Sequence, residues 1–289
     1  MCLFKGVINM GTSSYSVNDW NNYVRSTRLD TAVSAQQIYR SNYILPEFDP
    51  KNIKVRESCD SKEFPITTPI IIGLDVTGSM DPVLMTISKS LNDLMLKILN
   101  NESIPGPHLM FMGIGDACYD SAPLQVTQFE SDIKIAEQMN KIWFEQGGGG
   151  NGFESYDLAW YFARYYTRTD SLIKRNQKGI LFTIGDDNPI NEVHYRLICN
   201  TFGIYPDFIK MPIKDLLKKV EEQYDVYHLI IKEGTSYSKD VFHNWKNLLH
   251  ERAIVVDNVK NLSDIIYNTI AMNRNNLSNN SSVYSEFDL

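Results

Sequence analysis

The stretch Ile70-Ile71-Ile72-Gly73-Leu74-Asp75-Val76-Thr77-Gly78-Ser79-Met80-Asp81-Pro82 decides the fold of this 289-residue chain. Its apolar, β-branched start is too short for a membrane span and reads as a buried strand. That strand delivers an aspartate, a threonine hydroxyl and a serine hydroxyl to one turn. Asp81-Pro82 then has the composition of a helix start, because Asp accepts hydrogen bonds from orphan amides and Pro suits the first helical position. Asp75, Thr77 and Ser79 are therefore expected between the C-terminal end of a strand and a helix N-terminus, where ligands bind in open α/β sheets. Their oxygens suit a hard cation such as magnesium, which is held by one or two carboxylates and keeps several waters.

Outward from this stretch, strands and helices alternate. Leu84, Ile87, Leu91, Leu94, Met95 and Ile98 recur at helical spacing over 82–99. Apolar strands are expected at 108–114 and, as a short edge hairpin partner, at 124–129. A helix at 133–143 leads to Gly147-Gly148-Gly149-Gly150-Asn151-Gly152, a loop free to take positive φ and to approach a ligand closely. A helix over 153–166 puts Glu154 and Ser155 at its N-terminus. The strand 178–184 runs into Gly185-Asp186-Asp187-Asn188-Pro189, a second acidic strand end. Helices at 191–200, 213–223, 238–249 and 262–272 and strands at 225–231 and 253–256 complete the pattern. The expected fold is α/β: a doubly wound, mostly parallel sheet with one antiparallel edge strand and helices on both faces. It occupies 66–272. Residues 1–65 read as a polar, aromatic extension that wraps this domain, with weak helical periodicity at 31–39, breaks at Pro46, Pro50 and Pro65, and a surface loop at 56–61. The Asn/Ser-rich tail 273–289 is expected to be disordered.

The net charge of −7 argues against a nucleic-acid or anionic-lipid footprint. The basic cluster Lys174, Arg175 and Lys178 reads as a solvated connection. Cys2, Cys59, Cys118 and Cys199 are widely spaced, without the pairing of a zinc site or disulfide framework. The start lacks a positive region followed by an apolar stretch, and no apolar run approaches membrane length. The chain is expected to be reduced and cytoplasmic.

Asp75-Val76-Thr77-Gly78-Ser79-Met80 resembles the Asp-x-Ser/Thr-x-Ser signature of the metal-ion-dependent adhesion site (MIDAS) of von Willebrand factor A-like (vWA) domains. Element order, edge hairpin, glycine loop and second acidic strand end fall where such a Rossmann-like, three-layer sandwich has them. The resemblance implies a divalent cation, magnesium or else manganese or calcium, held by Asp75, Thr77 and Ser79. In that family a threonine before the third helix and an aspartate after the fourth strand join them. Asp186 matches the aspartate, and Asp187 is close enough to exchange roles with it. The threonine is absent: the loop reads Gly-Gly-Gly-Gly-Asn-Gly-Phe-Glu-Ser, leaving Asn151, Glu154 or Ser155 for the position. Glu154 is the first choice, since a third carboxylate would hold a cation more tightly. Asp116 and Asp120 either rim the site or form a turn. The resemblance further implies a non-enzymatic domain that contacts another protein through its metal, as intracellular members do beside AAA-type ATPases or in multiprotein assemblies.

A second resemblance competes. Haloacid-dehalogenase-like phosphatases and P-type ATPases also carry an apolar strand ending in Asp-x-x-Gly-Thr and a later Gly-Asp-x-x-Asn-Asp. There the first aspartate is a phosphoryl-accepting nucleophile in a magnesium site. Val76-Thr77 departs from both of their patterns, the glycine loop has no counterpart in them, and Lys178 begins its strand at the wrong end for a phosphate-binding lysine. The five histidines fall in separate elements, and no Gly-Lys-Ser/Thr follows the glycine loop.

Overall fold

The computed structural model describes residues 41–99, 104–132, 134–145, 147 and 153–285, together with 21, 22 and 25, with side chains (Leu99 excepted) as far as Arg274. Asn151 and the periodic segment 31–39 lie outside the described residues. Among the described residues, ten strands and eight helices are bounded, in order: β1 (Arg56–Ser58), β2 (Thr68–Asp75), α1 (Asp81–Leu99), β3 (Pro107–Ile114), β4 (Leu124–Val126), α2 (Lys134–Met139) and α3 (Tyr156–Tyr165). Next come β5 (Thr167–Thr169), α4 (Asp170–Arg175), β6 (Gly179–Gly185), β7 (Glu192–His194), α5 (Tyr195–Phe202), β8 (Lys210–Pro212) and α6 (Ile213–Val220). The chain ends with β9 (Tyr224–Ile231), α7 (Lys239–Leu249), β10 (Ala253–Val256) and α8 (Leu262–Ser285).

A run as apolar as Ile70–Leu74 is stable only when covered on both faces and paired on both edges. β2 accordingly lies inside a six-stranded sheet of order β10-β9-β6-β2-β3-β4. Every neighbouring pair is parallel except β3 and β4, which form the expected antiparallel edge. Side chains alternate across the strand, so Ile70, Ile72 and Leu74 pack with α1, α2 and α8, while Ile71 packs with α3, α5, α6 and α7. Asp75 shares the parity of Ile71 and so faces the layer that contains α3. α1 presents Leu84, Ile87, Leu91, Leu94, Met95 and Ile98 to the sheet as its periodicity requires. No helix among the described residues is long and apolar enough to cross a membrane.

Several boundaries move. Residues 192–194 form a strand paired antiparallel with β8, not the start of a helix, because Val193 alone points inward between two outward polar neighbours. α3 begins at Tyr156, since Phe153 is held in a bridge to Asn188. β4 ends at Val126, and Phe129 is buried in the loop beyond it. α8 continues past Met272 to Ser285, where the composition suggested a disordered tail. Asn273 donates to Asp225 Oδ2 (2.8 Å) and buried Arg274 donates to the Lys178 carbonyl (3.1 Å), so the packed domain extends at least that far.

Within 56–61, expected as a surface loop, Arg56–Ser58 form a strand. β1 pairs in parallel with β5, and Arg56 is buried, donating to the carbonyls of Glu47 (2.5 Å) and Val126 (3.1 Å). Lys174 and Arg175 also leave the solvated role assigned to them. α4 directs them at Asp60, which Arg175 grips with both terminal nitrogens (2.7 and 3.1 Å) and Lys174 reaches at 3.2 Å. Burial alone raises the Asp60 carboxyl, but hydrogen bonds from Arg175, Thr67 and Lys174 outweigh it and hold the group well below the usual carboxylate range.

A carboxylate depressed on folding contributes stability that is complete above its unfolded value of about 4 and is lost as pH falls toward the folded value. Asp60→Asn is expected to cost on the order of 2 kcal/mol at pH 7, or about 4–8 °C in Tm. The gap from wild type should narrow steadily below pH 4. Calorimetric scans showing the same gap at pH 7 and pH 2.5 would refute this assignment.

Candidate metal centre

Strand order reverses beside β2: the chain leaves β2 toward β3 on one side and later returns to β6 on the other, which creates a crevice at their C-terminal ends. Leu74 lies opposite Ile184 in the register, so Asp75 and Asp186 are delivered side by side. The turn after β2 closes on its own aspartate, with the Thr77 amide (2.9 Å) and Oγ1 (2.6 Å) both donating to Asp75 Oδ1. Thr77 Oγ1 stands 3.3 Å from Ser79 Oγ, which donates to Asp186 Oδ1 at 2.7 Å. Asp75, Thr77, Ser79 and Asp186 thus form one hydrogen-bonded cluster. The loop after β9 clasps it from outside: the Ser236 amide donates to Asp186 Oδ2 (2.7 Å), and Thr235 donates to the Ser79 carbonyl through its amide (3.1 Å) and hydroxyl (3.2 Å).

The second oxygen of Asp75 is held by Tyr156, whose Oη donates to Oδ2 at 2.8 Å. Two glycines permit this packing. A Cβ on Gly185 would lie 1.9 Å from Tyr156 Oη and 2.9 Å from Asp75 Oδ2, and one on Gly234 would lie 2.3 Å from Asp186 Oδ2. Tyr156 in turn meets His228 and Trp245 edge-on, His228 stacks on Trp245 with centroids 3.5 Å apart, and Trp245 Nε1 donates to the Asp187 carbonyl (2.9 Å). Thr183 Oγ1 stands 2.8 Å from His228 Nδ1. This aromatic floor was not legible in the sequence, where its members looked like ordinary core residues in three separate elements.

Burial pushes the Asp75 carboxyl up to about 7, the Thr77 hydroxyl opposing the shift and the Asp186 charge adding to it. Burial raises Asp186 and Asp187 as well. Glu154 is pushed up to about 10, first by burial and then by Asp75, Asp116, Asp187 and Asp120, and its Oε2 has no hydrogen-bond partner among the described residues. Burial also pushes Asp157 up to about 7; the amides of Asp157 and Leu158 soften the shift but do not reach its oxygens in hydrogen-bonding geometry. Among the described residues, no lysine or arginine forms an ion pair with any of these five carboxylates. Uncompensated buried negative charge is costly, and protons or a cation relieve it. The oxygen-only donor set around Asp75 fits a hard cation. Among the described residues no three His, Cys, Asp or Glu side chains are grouped closely enough to enclose an ion by themselves. The two hydroxyls are therefore integral to any shell.

Of the residues singled out in the sequence, Asp75, Thr77, Ser79 and Asp186 come together, and Glu154 lies beside them as an electrostatic neighbour of Asp75. Asp187 does not exchange roles with Asp186 within the cluster; its Oδ1 turns to the Asn188 amide (2.7 Å). Ser155 Oγ accepts from the Ala117 amide (2.9 Å), which ties α3 to the loop after β3. Asp116 and Asp120 shape that loop, Asp116 Oδ1 accepting from the Cys118 amide and Asp120 Oδ2 from the Asp116 amide, each at 2.8 Å. Lys178 sits at the start of β6, 3.9 Å from Asp225, at the end of the sheet remote from Asp75.

The fold is similar to that of the pilus adhesin SpaC from Lactobacillus rhamnosus GG. Its open conformation aligns with a TM-score of 0.51 and 11% identity over 76% of this chain. The chain covers only 31% of the adhesin's length. Proximal thread matrix protein 1 of the mussel byssus, with a zinc-occupied MIDAS motif, aligns more loosely, with a TM-score of 0.44 and 12% identity over 74% of this chain and 48% of that one. At 11% identity the likeness to the adhesin is one of fold alone. No protein-family model matches the chain, and no curated protein matches it significantly.

Gly185→Ala is expected to drive a methyl group into the Tyr156 hydroxyl, which is buried and cannot withdraw. Overpacking of this kind costs roughly 1–3 kcal/mol, a Tm fall of about 2–12 °C. Adding Tyr156→Phe removes the clashing oxygen and should recover part of the loss. Strictly additive destabilisation in the double variant would show that the two groups are not in contact.

Proposed function

We propose that this chain is a vWA-like domain that binds a divalent cation, magnesium first, through Asp75, Thr77, Ser79 and Asp186, and uses it to hold a partner protein. One observation carries the reading: two buried carboxylates and two hydroxyls from separate segments meet at the switch point of the sheet, with no basic side chain among the described residues paired to either acid. A bound cation would supply a point of positive charge able to accept an oxygen from a partner. The chain's own residues do the positioning. Thr77 and Tyr156 fix both oxygens of Asp75, Ser236 fixes the outer oxygen of Asp186, and Thr235 anchors the turn that carries Ser79. Glu154 stands beside the cluster in place of the family's threonine, and a bound cation would favour release of its proton, so that the cation would need less help from an acidic partner. Manganese or calcium would fit the same donors. The reading extends to a cytoplasmic protein working with an AAA-type ATPase or within a multiprotein assembly.

The domain is proposed to be a binder and not an enzyme. Lys178, the candidate for a phosphate-binding lysine, is at the far end of its strand from Asp75. Calorimetry should show saturable binding of Mn²⁺ and Mg²⁺ that is weakened at least 100-fold by Asp75→Ala with Asp186→Ala, and several-fold by Glu154→Gln. Equal affinity in the wild type and the double variant would sink the metal reading. Neither a fluoroberyllate adduct nor hydrolysis of para-nitrophenyl phosphate in magnesium is expected. Turnover that vanishes in Asp75→Asn would move the chain to the phosphatases.

A further inference from the structure

Beside this cluster lies a cavity of about 290 Å³ that the metal reading leaves unused. It is walled by the loop after β3, the entry to α3, and the segment from Ile190 to Leu197. Asp116, Glu154, Asp157 and Glu192 line it, Glu192 being paired with Lys210 outside the lining, and no lysine or arginine is among the described lining residues. Phe153, Ile190 and Leu197 give it apolar sides.

Asp157 is the informative residue. It is the second residue of α3 and 2% exposed, yet neither of its oxygens forms a hydrogen bond with any described residue. The helix N-terminus favours its charge only modestly. A carboxylate kept in a buried wall without a partner costs stability unless something outside the chain completes it. We propose that this cavity receives the side chain of an arginine or lysine from a partner protein, its cationic head meeting Asp157 and its aliphatic stem lying against Phe153, Ile190 and Leu197. The combination suits such side chains, which bury a long apolar stem and carry charge only at the tip. An inorganic cation would leave the apolar walls uncovered, and an apolar side chain would leave Asp157 unpaired. The inference does not depend on the metal, because Asp157 is not among the metal donors. It adds a basic residue to what the partner must present at this edge of the sheet.

The test is a two-dimensional amide NMR titration of the full chain in saturating magnesium. N-acetyl-arginine amide and N-acetyl-lysine amide are the probes, and N-acetyl-norleucine amide is the neutral control. At least one cationic probe should give saturable shifts confined to 116–118, 153–157 and 190–197, with affinity at least tenfold above that of the control. Asp157→Asn, which keeps shape and removes charge, should cut that affinity at least tenfold. Leu197→Trp, which fills the cavity from its other wall, should abolish the shifts. Cationic binding no tighter than that of norleucine, or binding indifferent to both substitutions, overturns the inference. The Asp75→Ala variant separates the two readings. Arginine or lysine binding retained there supports the cavity assignment whatever happens to the metal, and its absence from a wild type that still binds magnesium overturns the cavity assignment alone.

Discussion

The structure depends on the burial of one carboxylate, that of Asp75, at the end of a central strand. Taking such a group out of water is unfavourable unless its oxygens are met by donors. The surrounding chain is arranged to meet them: Thr77 folds back on one oxygen, and Tyr156 comes across from the opposite layer to the other. That crossing needs the neighbouring strand to end in a residue without a side chain, which Gly185 supplies. Tyr156 must then be held upright, and the His228 and Trp245 rings hold it. A single buried charge thus fixes a glycine, a turn and an aromatic stack in three different elements.

The hydrogen bonds do not discharge the cluster. Donors to Asp75 and Asp186 are hydroxyls and amides, so the negative charge remains, and burial raises both carboxyls. A site built only for stability would place an arginine there, as the chain does at Asp60 with Arg175. The two arrangements sit in one molecule and differ in what completes them. Asp60 is satisfied by the chain itself, while the acids around Asp75 are left for a proton or a cation.

Much of this was legible because it is written in local patterns. The alternation of apolar strands with 3.6-residue periodicity gave the layers, the parallel order and the antiparallel edge, and Asp75, Thr77, Ser79 and Asp186 fall at strand ends that any α/β sheet places together. What escaped depends on contacts between distant segments. Arg56–Ser58 is too short and polar to read as a strand, and it becomes one only because Thr167–Thr169 lies alongside. Lys174 and Arg175 look solvated until Asp60 is folded against them. The Asn-rich end of α8 carries few apolar residues, so its composition hid a helix whose docking rests on Asn273 and Arg274. Nothing local marks Tyr156, since its hydroxyl's partner lies on β2, 81 residues away.

The pairing of β1 with β5 has a consequence for the order in which the molecule can assemble. Arg56 is matched to Thr167, so roughly a hundred residues separate the two strands in the chain. On a ribosome the first strand emerges long before its partner exists, and loop closure over that distance is slow. The strand made first is therefore completed late, after β2, β3 and α3 have formed the ground on which it lands. Until then Asp60 has no Arg175. The amino-terminal segment acts as a closing latch, drawn shut only when the sequence through Arg175 has left the exit tunnel.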